Sequence, residues 1–99
     1  MKKTAEKYEK SLREDLRDPV EAAEYLNAAL EDGSLEIFLM ALKDVASAKG
    51  ISTIARETNL NRENLYRILS NKGNPKLQSL NSILNSVGLK LTVEVANCS

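Results

Sequence analysis

The chain has few of the residues on which enzymes depend. Its 99 residues include no histidine, no tryptophan and a single cysteine, Cys98. Histidine is the commonest general base and metal ligand, and a lone cysteine can form neither an intrachain disulfide nor a cysteine metal cluster. A glycine-rich phosphate-binding loop is also missing. We therefore expect no enzymatic activity, no catalytic residues, no cofactor and no metal site.

Long hydrophobic segments are missing as well. The sequence has no apolar run of about 18 residues, so we expect no membrane span and no membrane partner. The N-terminus, "MKKTAEKYEK", is basic but is not followed by the apolar stretch of a secretory signal. These absences and the lone cysteine make the reducing cytoplasm the expected location.

The formal net charge of zero conceals an uneven distribution. Residues 1–50 carry eight basic and eleven acidic side chains, whereas residues 51–99 carry six basic and three acidic ones. The most acidic stretch, residues 14–36, has eight acids and one arginine. Two interpretations stay open: the halves bind partners of opposite charge, or the acidic helices only aid solubility.

Three regions follow from the pattern of apolar residues. Residues 1–17 are charged and sparsely apolar, and we expect them to be frayed or ordered by a partner. Residues 18–88 carry five helical segments, with a helix-turn-helix at residues 51–70. Residues 89–96 have the alternating pattern of a strand. The sequence thus predicts one helical domain with a short tail at each end.

The first two predicted helices have clear end signals. In "DPVEAAEYLNAALEDG", Asp18 is the predicted N-cap, Pro19 the first helical residue and Glu21 the partner in a capping box. The second helix lies in "SLEIFLMALKDVASAKG", where Ile37 and Met40 widen an already broad apolar stripe. That width favours contacts on more than one side. The apolar positions predicted for these helices are Ala22, Ala23, Leu26, Ala29, Leu30, Leu35, Phe38, Leu39, Leu42, Val45 and Ala46.

The stretch "ISTIARETNLNRENLYRILS" predicts two short helices joined by a tight turn. Ala55 is small enough for a close helix crossing, and Asn59 is the best non-glycine residue for a turn with positive φ. Asn61 is the predicted N-cap of the second helix. Four apolar residues have the spacing to lock the two helices together: Ile54, Leu60, Leu65 and Ile68.

The second helix of this pair presents a polar outer face. In helix-turn-helix motifs this helix lies in the major groove, where arginine can pair with guanine and asparagine with adenine. Any one of these residues alone is more often a solvated surface group, but the full pattern favours DNA binding. The predicted groove-facing residues, including the cap, are Asn61, Arg62, Glu63, Asn64, Tyr66 and Arg67.

Residues on both sides of this helix suit contacts with phosphates. Lys72, Asn74 and Lys76 lie in the loop "SNKGNPK", and Ser52 and Thr53 begin the preceding helix. Such contacts fix the register of a protein on DNA without specifying its sequence.

The C-terminal part combines a helix with a predicted strand. "PKLQSLNSILNSVG" places Leu77, Leu80, Ile83, Leu84 and Val87 on one helical face. In the tail the apolar residues alternate with polar ones, and they are Leu89, Leu91, Val93 and Val95. A single strand in a helical chain has no partner, so we expect it to pair with a second copy in a homodimer. Passive packing of the tail on the helices is the alternative.

The sequence resembles a known family from roughly Tyr8 to Val93. Residues 35–80, and above all "RENLYRILS" followed by "GNPKL", are similar to probable addiction-module antidote proteins, HigA-like antitoxins with a Cro/XRE-type helix-turn-helix. The resemblance implies an all-α, five-helix, Cro/lambda-repressor-like domain that dimerises and binds its own promoter. It also implies a toxin partner of the RelE/ParE/HigB type. Asn59 departs from the glycine that the family commonly has at this position.

Three functions remain open from the sequence. The first is an autorepressing antitoxin that binds an inverted-repeat operator and a cognate toxin, and is nucleoid-associated through its DNA. The second is a phage-type or orphan helix-turn-helix regulator without a toxin. The third is a protein-binding helical module, which the near-zero net charge favours because many DNA-binding domains are basic. If the toxin is basic, the acidic residues 14–36 are its expected binding surface.

Overall fold

The computed structural model describes residues 14–70 and 74–96 of the chain. Within these ranges the protein is all-helical and has five helices, which confirms the predicted all-α class and the predicted number of helices. None of these helices combines the length and the hydropathy of a membrane span. The five helices are α1 (Pro19–Glu31), α2 (Leu35–Lys49), α3 (Ile51–Thr58), α4 (Arg62–Ile68) and α5 (Leu77–Ser86).

Helix α2 forms the centre of the core. It packs on α1 on one side and on α3 on the other, and α3 in turn packs on α4 and α5. Leu39, Leu42 and Ala46 of α2 have no exposed surface. Full burial of a leucine side chain contributes roughly 1.5–3 kcal/mol, so α2 is the main apolar anchor for its neighbours.

The starts of α1 and α2 are capped by side chains. The Asp18 carboxylate accepts a hydrogen bond from the Val20 backbone N–H at 3.0 Å, so this cap bond goes to Val20 rather than to Glu21 of the predicted capping box. The Ser34 hydroxyl caps α2 by accepting from the Ile37 N–H at 3.4 Å. These bonds satisfy backbone donors that have no partner within the helix.

The end of α5 lies against the start of α1. Gly88 has a φ of +84°, and a Cβ at this position would lie 3.2 Å from Cγ of Pro19. Both the left-handed backbone and the close approach favour glycine here. This contact joins the last helix to the first and closes the domain.

The residues just before α1 also pack on the core. Leu16 is 5% exposed, and the Arg17 side chain donates from Nε to the Ala48 carbonyl at 2.9 Å. The sequence placed both residues in a charged segment that frays or awaits a partner. Residues 1–13 of that segment lie outside the described residues, whereas its last turn is anchored to α2.

Several leucines differ from their predicted burial. Leu30, Leu35 and Leu77 were expected on apolar inner faces, but they are 56%, 50% and 70% exposed. Each lies in the first or last turn of its helix, where the apolar stripe extends past the neighbouring helix. Conversely Leu69, which follows α4 and was not singled out, is 1% exposed.

The C-terminal tail does not form the predicted strand. Residues 89–96 have no strand structure in the single described chain. Leu89 packs partly against the core, whereas Val93 and Val95 are 98% and 97% exposed. A strand needs a second strand to receive its backbone hydrogen bonds, and the described residues contain none. The strand is therefore absent from the single described chain, its pairing with a second copy stays a prediction, and passive packing accounts only for the start of the tail.

Candidate functional site

Helices α3 and α4 are joined by three residues, and we call residues 51–68 the α3–α4 unit. Asn59 follows α3 with φ 60° and ψ 22°, and it is the one non-glycine residue with positive φ in the described part of the chain. Asparagine tolerates this left-handed conformation better than other non-glycine residues. The predicted turn residue is therefore confirmed, and it sets the angle at which α4 leaves α3.

Side chains close the two ends of this turn. The Thr58 hydroxyl donates to the Ile54 carbonyl at 2.7 Å and accepts from the Leu60 N–H at 3.4 Å. The Asn61 side-chain oxygen accepts from the Asn64 N–H at 2.7 Å, which confirms the predicted N-cap of α4. Asn61 thus has a structural role whether or not it also contacts DNA.

The inner face of the α3–α4 unit is apolar. Ile54 and Leu65 have no exposed surface, and Leu60, Ala55 and Ile68 pack partly buried against the same core. The spacing predicted from sequence therefore locks the two helices together, and Leu69 adds a further anchor after α4.

The outer face of α4 is polar and accessible. Arg62, Glu63 and Arg67 are exposed, Tyr66 is 44% exposed and Asn64 is half-buried. Glu63 and Asn64 lie four and three residues before Arg67, so either side chain is within reach of its guanidinium group. In the structure Arg67 donates from Nη2 to the side-chain oxygen of Asn64. This bond orients the guanidinium group on the exposed face.

The loop before α5 lies beside this face. An open groove of about 460 Å³ is lined by Arg67, Asn64, Asn74, Lys76 and Ser79, among other residues. The structure therefore brings the predicted phosphate-binding positions Asn74 and Lys76 next to the predicted base-contacting ones. Ser79 was not predicted, although it follows Lys76 by one helical turn. Lys72 lies outside the described residues.

The start of α3 has a different environment. Ser52 is exposed and Thr53 half-buried, and no side chain caps this helix. Both residues therefore lie in a first helical turn whose backbone donors have no capping group, which is compatible with the predicted phosphate contacts.

Lys49, for which the sequence predicted no role, holds the α3–α4 unit in place. Nζ of Lys49 lies 3.2 Å from the Glu57 carboxylate and also donates to the Ser86 carbonyl. Lys49 thereby joins the end of α2 to α3 and to the end of α5. Its place in the last turn of α2, where a cation favours the helix dipole, was the available signal.

The α3–α4 unit and the loop after it are locally basic. Residues 51–76 contain five basic and two acidic side chains, and one of the two acids, Glu57, is paired with Lys49. The outer face therefore has the charge and the donors for a polyanion, but no group of three or more potential metal ligands is present in the described residues.

Comparisons with known proteins give a family and a relative. A family model described as "probable addiction module antidote protein" matches residues 6–95. An uncharacterized protein of Haemophilus influenzae (strain ATCC 51907 / DSM 11121 / KW20 / Rd) is 36% identical over 81 residues, which span 82% of this chain and 84% of that protein. No solved structure matches the chain. The chain therefore belongs to the family of probable addiction module antidote proteins, whose members imply a cognate toxin as partner.

Proposed function

We propose that this protein is a dimeric, sequence-specific DNA-binding antitoxin that represses its own promoter and neutralises a toxin of the RelE/ParE/HigB type. We further propose that the five helices form a HigA-like domain of the Cro/lambda-repressor type. The observation that carries the proposal is the outer face of α4, where Asn64 orients Arg67 beside Lys76. The function so proposed is binding and not catalysis.

In this proposal α4 lies in the major groove and makes the base contacts. Arg67 forms two hydrogen bonds to a guanine, which is the commonest specific contact of an arginine with DNA. The Asn64 oxygen already holds Arg67, so its amide nitrogen is the group that remains for a base or phosphate oxygen. Arg62, Glu63 and Tyr66 complete the exposed face and contact neighbouring bases or the backbone.

The flanking residues set the register on the backbone. Lys76 and Asn74 are exposed and line the same groove as Arg67. Ser52 and Thr53 at the start of α3 contact a second phosphate in this proposal, and Lys72 adds a second basic side chain to Lys76. Such contacts supply most of the salt-dependent affinity for DNA.

Dimerisation would explain the exposed tail. Leu91, Val93 and Val95 leave large apolar side chains in water, and alternation puts them on one face of an extended segment together with Leu89. Antiparallel pairing with the same segment of a second copy would bury these side chains and satisfy the strand's backbone groups. Two recognition helices would then meet major grooves roughly 34 Å apart, on an inverted-repeat operator.

Membership of the antidote family favours the antitoxin over an orphan or phage-type regulator, because an antidote protein acts on a toxin. The local positive charge of residues 51–76 likewise favours DNA binding over a purely protein-binding module, despite the zero net charge. Repression of its own promoter would associate the protein with the nucleoid.

Fluorescence anisotropy on the DNA upstream of the gene tests DNA binding. We expect saturable binding that weakens with salt and that exceeds binding to a scrambled duplex of equal length. Arg67→Ala should weaken binding to the upstream DNA about 5- to 150-fold per half-site, the loss of a bidentate contact of roughly 1–3 kcal/mol.

Arg56→Ala is the matched control, since it removes the same charge from an exposed position of α3 outside the proposed groove-facing residues. We expect Arg56→Ala to lower the affinity for the upstream DNA and for the scrambled duplex by a similar small factor. Equal losses for the two arginine variants, or no preference for the upstream DNA, would contradict sequence-specific binding through α4.

Sedimentation velocity tests the dimer. Val93→Asp should shift the protein towards the monomer, because a carboxylate would enter the paired apolar face. Val20→Asp, at a position that is 64% exposed on α1, makes the same change away from the tail and should leave the dimer intact. A wild-type protein that sediments as a monomer at micromolar concentration would rule out the paired tail.

A further inference from the structure

A second groove lies away from the α3–α4 unit, between α1 and α2, and we call it the α1–α2 groove. It has a volume of about 360 Å³, and its buried lining residues include Ala29 and Ala41. Ile37 and Met40 of α2 also line it and are 41% and 55% exposed. Small residues at the base and large apolar residues beside them make a depression that an apolar side chain can enter.

The same groove carries negative charge. Asp32 and Asp44 line it, and both are exposed. The Tyr25 hydroxyl donates to the Asp44 carboxylate at 2.7 Å, which holds that carboxylate in one position. None of the residues described along the groove is basic, and the acidic residues 14–36 supply one of its two helices.

The apolar part of the groove has no cover within the described chain. The width of the α2 stripe predicts contacts on more than one side, yet on this side Ile37 and Met40 remain open to solvent. Exposed apolar residues surrounded by polar ones are typical of interaction sites, and methionine adapts its shape to a partner.

We propose that the α1–α2 groove is the docking site for the toxin, and that its occupant is a basic segment of the toxin that inserts an apolar side chain beside Met40. This inference rests on the proposed antitoxin function. The charge carries the choice of partner: carboxylates of Asp32 and Asp44 attract lysine or arginine, whereas a second copy of this chain would bring its own acidic α1–α2 surface to the contact. No residue that lines this groove belongs to α3 or α4, so toxin and DNA occupy separate faces.

Calorimetric titration with the product of the open reading frame that adjoins this gene tests the inference. Met40→Lys places a cation where the basic segment docks, at a side chain that is more than half exposed and can change without disturbing the core. We expect the dissociation constant to rise about tenfold or more, because like charges are then opposed in a closed contact. Met40→Leu keeps the apolar contact and should stay within about twofold of the wild type.

Ser47→Lys is the matched control. It adds the same charge to the same helix pair, at an exposed residue of α2 that does not line the groove and lies outside residues 14–36. We expect its toxin affinity to stay within about twofold of the wild type, since exposed charges outside a contact change affinity little. Circular dichroism of the variants checks that all are folded.

The possible outcomes separate the inference from the proposed function. If the wild type binds the toxin and Met40→Lys binds equally well, the groove is not the docking site while the antitoxin function stands. If Met40→Lys instead dissociates a homodimer and leaves toxin affinity unchanged, the occupant is a second copy and the inference is wrong. If the wild type does not bind the adjoining gene product at all, both the inference and the antitoxin function are contradicted.

Discussion

The α3–α4 unit and the α1–α2 pair are both two-helix hairpins on one core, but they expose opposite chemistry. The α3–α4 unit exposes Arg62, Tyr66 and Arg67 beside a basic loop, and its apolar residues face inward. The α1–α2 pair exposes carboxylates, and it leaves Ile37 and Met40 at its surface. A net charge of zero therefore describes neither surface, and each surface has to be judged by its own residues.

The helices of the two hairpins also differ in length and therefore in their own stability. Helices α1 and α2 have 13 and 15 residues, whereas α3 and α4 have only 8 and 7. Helices shorter than about 12 residues are marginal in water, so α3 and α4 depend on their packing against the core. The proposed DNA-binding surface is therefore held by caps, turn geometry and a few buried side chains.

The largest expected effect comes from removing one buried leucine in each hairpin. Leu65→Ala in α4 and Leu26→Ala in α1, at side chains that are 0% and 4% exposed, should each lower the free energy of unfolding by about 2–5 kcal/mol. Because both leucines belong to one core, urea unfolding of each variant should show a single transition by circular dichroism. Two separate transitions would mean that the hairpins fold independently.

Substitutions in the turns should lower the free energy of unfolding by a smaller amount. Asn59 in the α3–α4 unit has φ 60°, and Gly33 between α1 and α2 has φ +81° with open space around it. Asn59→Ala and Gly33→Ala should each cost about 1–2 kcal/mol, because a Cβ disfavours the left-handed backbone. Asn59→Gly should be nearly neutral in the same urea titration. An alanine variant as stable as the wild type would show that the turn has relaxed to another conformation.

Removal of a helix cap should lower the free energy of unfolding by the smallest amount. Asn61→Ala and Asp18→Ala each remove one side-chain cap bond, at the start of α4 and of α1, and should lower the unfolding free energy by about 1 kcal/mol. Hydrogen exchange should then distinguish the two hairpins. The loss of a cap should speed the exchange of nearby backbone amides most in a short helix. We expect faster exchange of the Asn64 N–H in Asn61→Ala than of the Val20 N–H in Asp18→Ala. Equal exchange rates would mean that α4 depends on its cap no more than α1 does.

The α3–α4 unit was well predicted because its signals are local. Asn59 in the turn, Asn61 at the cap and Leu65 on the inner face each act over three or four residues, so the sequence alone determines them. The number of helices followed from the same local periodicity and end signals.

Features that depend on distant neighbours were not predictable in the same way. Periodicity indicates that Leu30, Leu35 and Leu77 share a face with core residues, but it does not indicate where the neighbouring helix ends. The α1–α2 groove depends on which of two packed faces remains uncovered, and the exposed tail at Val93 has no partner strand among the described residues. Glu63 and Asn64 lie at nearly the same distance along α4 from Arg67. Only the structure shows that Arg67 bonds to Asn64.

One cross-comparison tests the central claim that this domain carries two separate working surfaces. The affinities of the wild type, Arg67→Ala and Met40→Lys should be measured both for the upstream DNA and for the toxin. We predict that Arg67→Ala loses affinity for the DNA about fivefold or more and keeps its affinity for the toxin, and that Met40→Lys does the reverse. A folded variant that loses both affinities together would contradict the account, because DNA and toxin would then share one surface.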